Sequence, residues 1–524
     1  MADTVDSLLR RQSAVFGDKP MVVDPATRLT YRDLDRSTRA LAAGLLQVGI
    51  SKGTRVGIIM PNGADWVRLA LALTRIGAVL VPLSTLLRPR ELVAQLRTAS
   101  VQHLIAVAEF RGHHYLAELR TELTAPQLGD GTSHDANLPA LRRVWTPEQV
   151  LSHATVTAPE RFIDALTEAA RPSDPLAVMF TSGSSGAPKG VVHTHGNALG
   201  AVGSGLAARC ITADTRLYLP MPFFWVGGFG AGVLAALLAG ATLVTEPVSE
   251  PATTLALLQR ERVTLFRGWP DQAETLARQA DGADLSTLEP GSLAALLPPV
   301  LRAASGSRAK LFGMTESFGP YCGYPADTDM PRTAWGSCGK PFPGMQLRIV
   351  DTDTGEDVPA GTIGMIQLRG PHMMAGICRR RRDEVFTIDG YYPTGDLGHL
   401  DTDGFLFYHG RSDDMFKVSG ATVYPSEVEQ ALRVIPGVHG AYATNVPGPE
   451  GDRVGAAVVC DTATCSPAAL REAAKTLLSS FKVPTGWLLL DQDSAIPRGS
   501  TGKVDMPRLR ALLADITPAE RETR

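Results

Sequence analysis

Apolar residues along the first hundred positions alternate between a helical and a strand-like period. Leu34, Leu41, Leu45 and Leu46 form a stripe at helical spacing that ends near Gly49. Val56, Gly57, Ile58, Ile59 and Met60 make a short apolar run stopped by Pro61, Asn62 and Gly63. Trp66, Leu69, Leu71 and Leu73 belong to a second helix, and Ala78 to Pro82 to a second strand. This β-α-β-α rhythm predicts an α/β fold, with helices on the faces of a sheet. Leu176 to Phe180 is a further buried strand that runs straight into a Gly/Ser loop, while the polar stretch from Pro126 to Asn137 reads as a surface loop.

Beyond Gln346 the pattern shortens. Gln346 to Val350 and Met365 to Leu368 read as strands, with turn residues at Asp353 to Gly355 and Pro359 to Gly361 between them. Such spacing predicts a β-rich subdomain. After Gly410 and Arg411 comes a compact mixed segment: a helix over 427–433, a strand over 456–460 and a helix over 467–478. The expected architecture is therefore α/β. A large N-terminal domain of α/β sheets plus a β-rich subdomain occupies 1–412, and a small α+β C-terminal domain occupies 413–524, with the boundary near Asp413. No internal repeat interrupts this order.

Composition narrows the class. A chain of 524 residues predicts three or four folding units, or fewer and larger ones, at about 150 residues each. With 44% hydrophobic and 20% charged residues it is neither disordered nor fibrous. A net charge of −3 supplies no field for nucleic acid or an acidic membrane. Cys210, Cys322, Cys338, Cys378, Cys460 and Cys465 contain no CxxC pair, which argues against a disulfide framework, a zinc site or a redox motif. The first residues lack the apolar core of a secretory signal, and the C-terminal RETR carries no targeting address. The longest apolar stretch, Phe223 to Leu238, is broken by Gly227, Gly228, Gly230 and Gly232 and reads as buried core, not a membrane span. A cytoplasmic location, as monomer or homodimer, is the expectation.

The sharpest chemical signal is the run Thr181, Ser182, Gly183, Ser184, Ser185, Gly186, Ala187, Pro188, Lys189, Gly190. Glycines allow backbone N–H groups to turn toward an anion, hydroxyls add donors, and the lysine adds a mobile positive charge. These are the requirements of a pyrophosphate leaving group. The spacing does not fit GxxxxGK[ST], so the mononucleotide P-loop is disfavoured. A flexible surface linker is the plain alternative, but a buried strand leads in and Pro188-Lys189 stiffens the exit.

This decamer resembles the phosphate loop of the adenylate-forming superfamily, which includes acyl- and aryl-CoA synthetases, peptide-synthetase adenylation domains and luciferases. Further signatures follow in family order over roughly 30–510. Phe312-Gly313-Met314-Thr315-Glu316 is similar to the aromatic-Gly-x-Thr-Glu motif. The resemblance implies that Phe312 lies against adenine with Gly313 beside it, that Thr315 contacts phosphate, and that Glu316 holds Mg²⁺. A single carboxylate suffices, because magnesium takes its other ligands from phosphate and water. Thr394-Gly395-Asp396 resembles the turn whose Asp accepts from the ribose hydroxyls, as an ionised carboxylate can. The run from Gly410 to Gly420 resembles the hinge. It implies ribose contact for Arg411, a domain pivot at Asp413, and a pantetheine tunnel lined by Ser419 and Gly420. Ile496 to Lys503 resembles the last signature, making Lys503 the catalytic lysine of adenylation. An ammonium between two reacting anions is worth about 3–4 kcal/mol of barrier, by analogy with other electrostatic donors.

Two departures stand out. Trp225 occupies a position where many relatives carry His, and Trp269 is a second bulky residue at the implied acyl pocket, with Val226 and Gly227 alongside. Simple core packing is the alternative for Trp225. The pocket is expected to be wide and apolar, open to linear, aryl or polycyclic acids. The adenine-side loop, Pro290 to Pro299, lacks the usual Gly-Gly-Ala-Pro element. Arg379 to Arg382 reads as a solvated face.

The resemblance implies an acid–thiol ligase using ATP, Mg²⁺ and coenzyme A, most simply an acyl-CoA synthetase acting on a hydrophobic, bulky carboxylic acid. A ligase loading a carrier protein and a free-standing amino-acid or aryl-acid adenylation enzyme are the alternatives within the family. The apolar run Phe223 to Gly228 lacks the Asp that would hold an α-ammonium, which ranks the amino-acid reading low. A nucleotide-binding protein without chemistry is the alternative of another class, and the presence of Lys503 and Glu316 counts against it.

Overall fold

The computed structural model describes residues 3–123, 135–153, 160–181, 189–412, 416–418, 421–448, 452–462, 465–478, 480–499 and 503–516. Most of the loop expected from Pro126 lies outside them. The chain forms two compact units. The first comprises Met1–Leu347, Leu368–Tyr392 and Gly404–Leu406; the second comprises Arg348–Gln367, Pro393–Asp403 and Phe407–Arg524.

The α/β expectation is met in the first unit. A seven-stranded sheet runs in the order Gly376–Ile377, Lys189–Thr194, Pro175–Thr181, Val79–Pro82, Arg55–Ile59, His103–Ala106, Arg143–Trp145. From Pro175–Thr181 onward all neighbours are parallel, and Pro175–Thr181 pairs antiparallel with Lys189–Thr194. A five-stranded sheet has the order Leu265–Phe266, Arg216–Tyr218, Thr242–Val244, Pro20–Val23, Arg28–Thr30.

Parallel strands need crossovers, and the helices that supply them bury apolar stripes on both sheets. Leu34, Leu41 and Leu45 of helix Tyr31–Gln47, and Trp66, Leu69 and Leu73 of helix Ala64–Arg75, join one core cluster. That cluster also takes Val56, Ile58 and Leu80 from the larger sheet and Val22, Leu217 and Leu243 from the smaller. Thr30 caps helix Tyr31–Gln47 by accepting from the Asp33 N–H, and Asp33 bonds back to the Thr30 N–H. The glycine-broken stretch at Phe223 to Leu238 is core, as expected, with Phe223, Phe229, Val233 and Leu234 buried. It is helical from Val226 to Ala239, with a π-type segment over Phe229–Leu234.

The β-rich reading beyond Gln346 holds, in strands that fall mainly in the second unit. Strands Gln346–Val350, Gly364–Arg369, Tyr392–Leu400 and Leu406–Arg411 form one four-stranded sheet. Further along, strands Val438–Val446, Arg453–Cys460 and Gly486–Leu490 form a three-stranded sheet. Val428 and Leu432 of helix Pro425–Arg433 and Leu470 and Ala474 of helix Pro467–Leu477 pack against it. Among the described residues, no helix is long and apolar enough to cross a membrane.

Candidate active site

Thr181 ends one strand and Lys189 begins the next, and the two are directly paired in antiparallel register. The phosphate-loop candidates Ser182, Gly183, Ser184, Ser185 and Gly186 lie outside the described residues, but their loop leaves and re-enters the sheet at adjacent points.

Phe312 and Gly313 lie on strand Phe312–Met314, which pairs antiparallel with Gly319–Gly323. A β-carbon at Gly313 would sit 2.1 Å from the Gly319 carbonyl oxygen, so no other residue fits this close approach. Strand and turn are bound together by Ser317, whose Oγ donates to the Gly319 carbonyl at 2.7 Å. Phe312 meets Tyr321 edge-on, with centroids 5.6 Å apart.

Thr315 and Glu316 follow in a single helical turn, and three contacts hold them. Tyr392 Oη donates to Glu316 Oε1 at 2.9 Å, and the Met374 N–H donates to the Glu316 carbonyl at 2.8 Å. His193 Nε2 donates to the Thr315 carbonyl at 2.8 Å, while its Nδ1 accepts from Asn197 Nδ2 at 2.8 Å. A carbonyl can only accept, so this pairing places the histidine proton on Nε2. Burial pushes the His193 pKa down to about 3, which keeps the ring neutral. Glu316 is 5% exposed, a carboxylate almost wholly withdrawn from bulk water. Among the described residues no group of three or more His, Cys, Asp or Glu could hold a metal. A lone, hard carboxylate of this kind nevertheless fits Mg²⁺, which takes one or two protein carboxylates and completes its shell with phosphate and water.

The acyl-pocket candidates Trp225 and Trp269 come together edge to face, with centroids 6.4 Å apart and planes at 85°. Each stands immediately before a helix, at Val226–Gly228 and Pro270–Arg278. Val226 is buried, and a β-carbon at Gly227 would meet Met221 Sδ at 3.0 Å. The atypical loop is packed rather than loose: Leu296 and Leu297 are buried, and Ser292 Oγ accepts from the Phe266 N–H at 3.1 Å. Arg379, Arg380, Arg381 and Arg382 are all exposed, as expected of a solvated face.

In the second unit Asp396 and Arg411 are brought together. Arg411 Nη1 donates to Asp396 Oδ1 at 3.2 Å and to the Thr394 carbonyl at 2.8 Å. Gly395 has φ +74°, and a β-carbon there would lie 2.7 Å from Arg411 Nη2, so the turn demands glycine twice over. Lys503 is exposed, and its carbonyl accepts from the Gly499 N–H at 2.8 Å. Asp413, Ser419 and Gly420 lie outside the described residues. Strands Phe416–Val418 and Ala421–Val423, on either side of Ser419-Gly420, pair as an antiparallel hairpin.

Motif reading missed His193, Asn197 and Met374, and took in Tyr392 only as the start of the turn motif that runs to Asp396, without its bond to Glu316. The one available signal was the polar pair His193 and Asn197, four apart, just after the phosphate loop. Arg209 and Arg267 also passed unremarked.

Comparison with known proteins identifies the family. The family model for the AMP-binding enzyme matches residues 9–378. A (7a-methyl-1,5-dioxo-octahydro-1H-inden-4-yl)propanoyl:CoA ligase of Mycobacterium tuberculosis is 32% identical, over 97% of this chain and 99% of its own. Feruloyl-CoA synthase of an Amycolatopsis species is 30% identical, over 91% of this chain and 92% of its own. Among solved structures, ATP-bound MatB from Rhodopseudomonas palustris superposes with a TM-score of 0.79 at 25% identity, covering 98% of this chain and 100% of that one. Because the family match takes in well over half of its length, the chain belongs to the AMP-binding enzyme family, the adenylate-forming superfamily, as one of its AMP-forming acid–thiol ligases.

Proposed function

We propose that the protein is an acyl-CoA synthetase that activates a hydrophobic, bulky carboxylic acid with ATP and transfers the acyl group to coenzyme A. The observation that carries this reading is the Thr315–Glu316 turn, whose carbonyls and carboxylate are each held by a separate part of the first unit. Preorganisation of this kind is what a triphosphate site requires, since groups fixed before reaction need no reorganisation during it.

Glu316 would hold Mg²⁺, which neutralises phosphate charge, and Thr315 would contact phosphate. The loop from Thr181 through Lys189 would cradle the departing pyrophosphate. Phe312 and Gly313 would border adenine, and Asp396 with Arg411 would take the ribose. Lys503 would stand between substrate carboxylate and α-phosphate. Domains 1–412 and 413–524 would turn about Asp413, exchanging Lys503 for the tunnel at Ser419 and Gly420. Closure excludes water while the hydrolysable mixed anhydride waits for the thiol.

Trp225, Val226, Gly227 and Trp269 would form the acyl wall. The indole pair supports a bulky acid, and the relatives' substrates, an indenyl propanoate and a ferulate, are ring acids as well.

Exchange of labelled pyrophosphate into ATP, screened over straight-chain, aryl and polycyclic acids, tests the reading. Acid-dependent exchange, followed by thioester formation with free coenzyme A, is the expected result. No exchange with any acid would refute it; exchange with transfer only to a carrier protein's pantetheine would replace the acceptor.

A further inference from the structure

Among the described residues of the first unit, the buried guanidinium groups of Arg209 and Arg267 make no ion pair with a carboxylate. Arg209 lies on the turn after helix His195–Ser204 and is 4% exposed. Among the described residues its guanidinium makes no ion pair, and its buried Nη1 has no hydrogen-bond partner. Arg267, half-buried just after strand Leu265–Phe266, has a buried Nε without a partner, and its Nη2 donates to the Arg209 carbonyl at 2.9 Å. Burial lowers the Arg267 pKa and Asp327 partly offsets that, but Asp327 is exposed, hydrogen-bonded to Thr328, and among the described residues makes no ion pair with either arginine.

Burial and the neighbouring Arg267 charge push the Arg209 pKa down to about 10, which leaves the group a cation at neutral pH. Guanidinium is the most weakly hydrated of the cationic side chains and presents a planar fork matched to a carboxylate. A buried one with no partner is costly to the fold, so its retention calls for a ligand.

Position identifies the ligand's source. A β-carbon at Gly319 would sit 3.5 Å from Arg209 Nη2 and 3.6 Å from Val226 Cγ1, so the guanidinium end and Val226 border the same point. Val226 directly follows Trp225. Arg267 leads, through Gly268, into Trp269, whose ring meets Trp225. The Arg209 guanidinium therefore borders the indole corner, and Arg267 is tied to it through its bond to the Arg209 carbonyl. Gly319 itself continues the strand pair that begins at Phe312, so the same corner touches the Thr315–Glu316 turn.

We propose that Arg209 and Arg267 form an anion subsite on the tryptophan side of the acyl pocket, and that the acid this enzyme activates carries a second, distal carboxylate. This rests on the reading that Trp225, Val226 and Trp269 border the acid. One carboxylate attacks ATP; the other occupies the arginine pair and is not activated. The distal group sets orientation: an acid held at its far end can present only its near end to the α-phosphate. The apolar wall accommodates the carbon skeleton between the two.

The test is pyrophosphate exchange by the full-length enzyme with monocarboxylates from hexanoate to dodecanoate, each matched with its α,ω-dicarboxylate, together with cyclohexylpropanoate and its ring-carboxylated analogue. The wild type is expected to favour the dicarboxylate in at least one matched pair by about a hundredfold in kcat/KM, because a site built to bond a polar group strongly rejects the analogue without it. Arg209→Met is expected to lose that preference, through a higher KM for the dicarboxylate, and to melt at or above the wild type. Arg209→Lys is expected to recover part of it.

Three outcomes would overturn the subsite: monocarboxylates favoured in every pair, a preference that survives Arg209→Met, or an Arg209→Met protein that melts lower or does not fold. The last would make the arginine a structural charge. Failure of the acid-activating reading looks different, since no member of either series would then drive exchange.

Discussion

Arg75 and Arg209 are equally hidden and oppositely treated. Arg75, 1% exposed at the end of helix Ala64–Arg75, donates through Nε to Asp6 Oδ1 at 2.5 Å. It donates through Nη1 to Thr38 Oγ1 at 3.0 Å and to the Asp35 carbonyl at 2.6 Å, and through Nη2 it ion-pairs with the Asp35 carboxylate. Every face of that guanidinium is closed by the protein itself. Among the described residues no carboxylate makes an ion pair with Arg209, and its buried Nη1 has no hydrogen-bond partner. A buried charge closed by its own fold reports on folding, whereas one left open reports on what the fold is built to receive. The same division separates Glu316, braced by Tyr392, from Lys503, which stands exposed.

The largest effect expected from this contrast is on stability. Arg75→Met strands Asp6 and Asp35 without their cation, and breaking a buried pair by removing one partner costs about 3–5 kcal/mol. Urea unfolding measures it directly. A loss under about 1 kcal/mol would mean that Arg75 is no more integral than Arg209, and the contrast would fail.

Lys503 provides the reverse case. Exposed, and among the described residues hydrogen-bonded through its backbone carbonyl alone, it contributes little to the fold. Lys503→Ala is expected to melt with the wild type while pyrophosphate exchange falls about 100- to 1000-fold, the usual loss for one electrostatic donor. Thioester formation from supplied acyl-adenylate is expected to survive. Equal loss in both half-reactions would remove the lysine from its proposed role.

What was legible follows from how local each signal is. The alternation of periods between Leu34 and Pro82 translated directly into helices Tyr31–Gln47 and Ala64–Arg75 and strands Arg55–Ile59 and Val79–Pro82. Thr315 and Glu316 could be singled out because their motif is contiguous. The residues that brace them could not, because Tyr392 stands 76 positions from Glu316 and His193 stands 122 from Thr315. Hydrophobic periodicity says that a position faces inward but not whether a polar group there will find a partner. Arg75 and Arg209 were therefore indistinguishable until their neighbours were in view.

Neutral histidines form an intermediate case, since the fold uses them only when uncharged. Burial holds His193 at about 3, and His103 and His195 at about 4, against the usual 6.5. An unfolded chain takes up these protons below 6.5 and the native chain does not, so stability is complete above that pH and declines as pH falls toward 3–4. At about pH 5 the loss per histidine is on the order of 2 kcal/mol. Urea midpoints measured at neutral pH and at about pH 5 would show the slope, and a flat profile would mean that the three rings are protonated in the native state.

The smallest expected effect falls on one side chain where both halves of the contrast meet. Glu316 accepts from Tyr392 through Oε1 and is proposed to offer its charge to Mg²⁺. Tyr392→Phe removes the donor and keeps the ring, so the carboxylate loses one charge-assisted bond, about 1.5 kcal/mol of stability. The carboxylate is then less firmly placed, and the magnesium concentration for half-maximal exchange should rise while kcat changes little. Glu316→Gln makes the complementary cut. Its amide oxygen can still accept from Tyr392, so stability should hold, but the charge is gone and exchange should collapse at any magnesium concentration. If Glu316→Gln instead unfolds the protein while Tyr392→Phe leaves both stability and magnesium dependence untouched, then the buried carboxylate serves the fold alone, and Glu316 belongs beside Arg75 rather than Lys503.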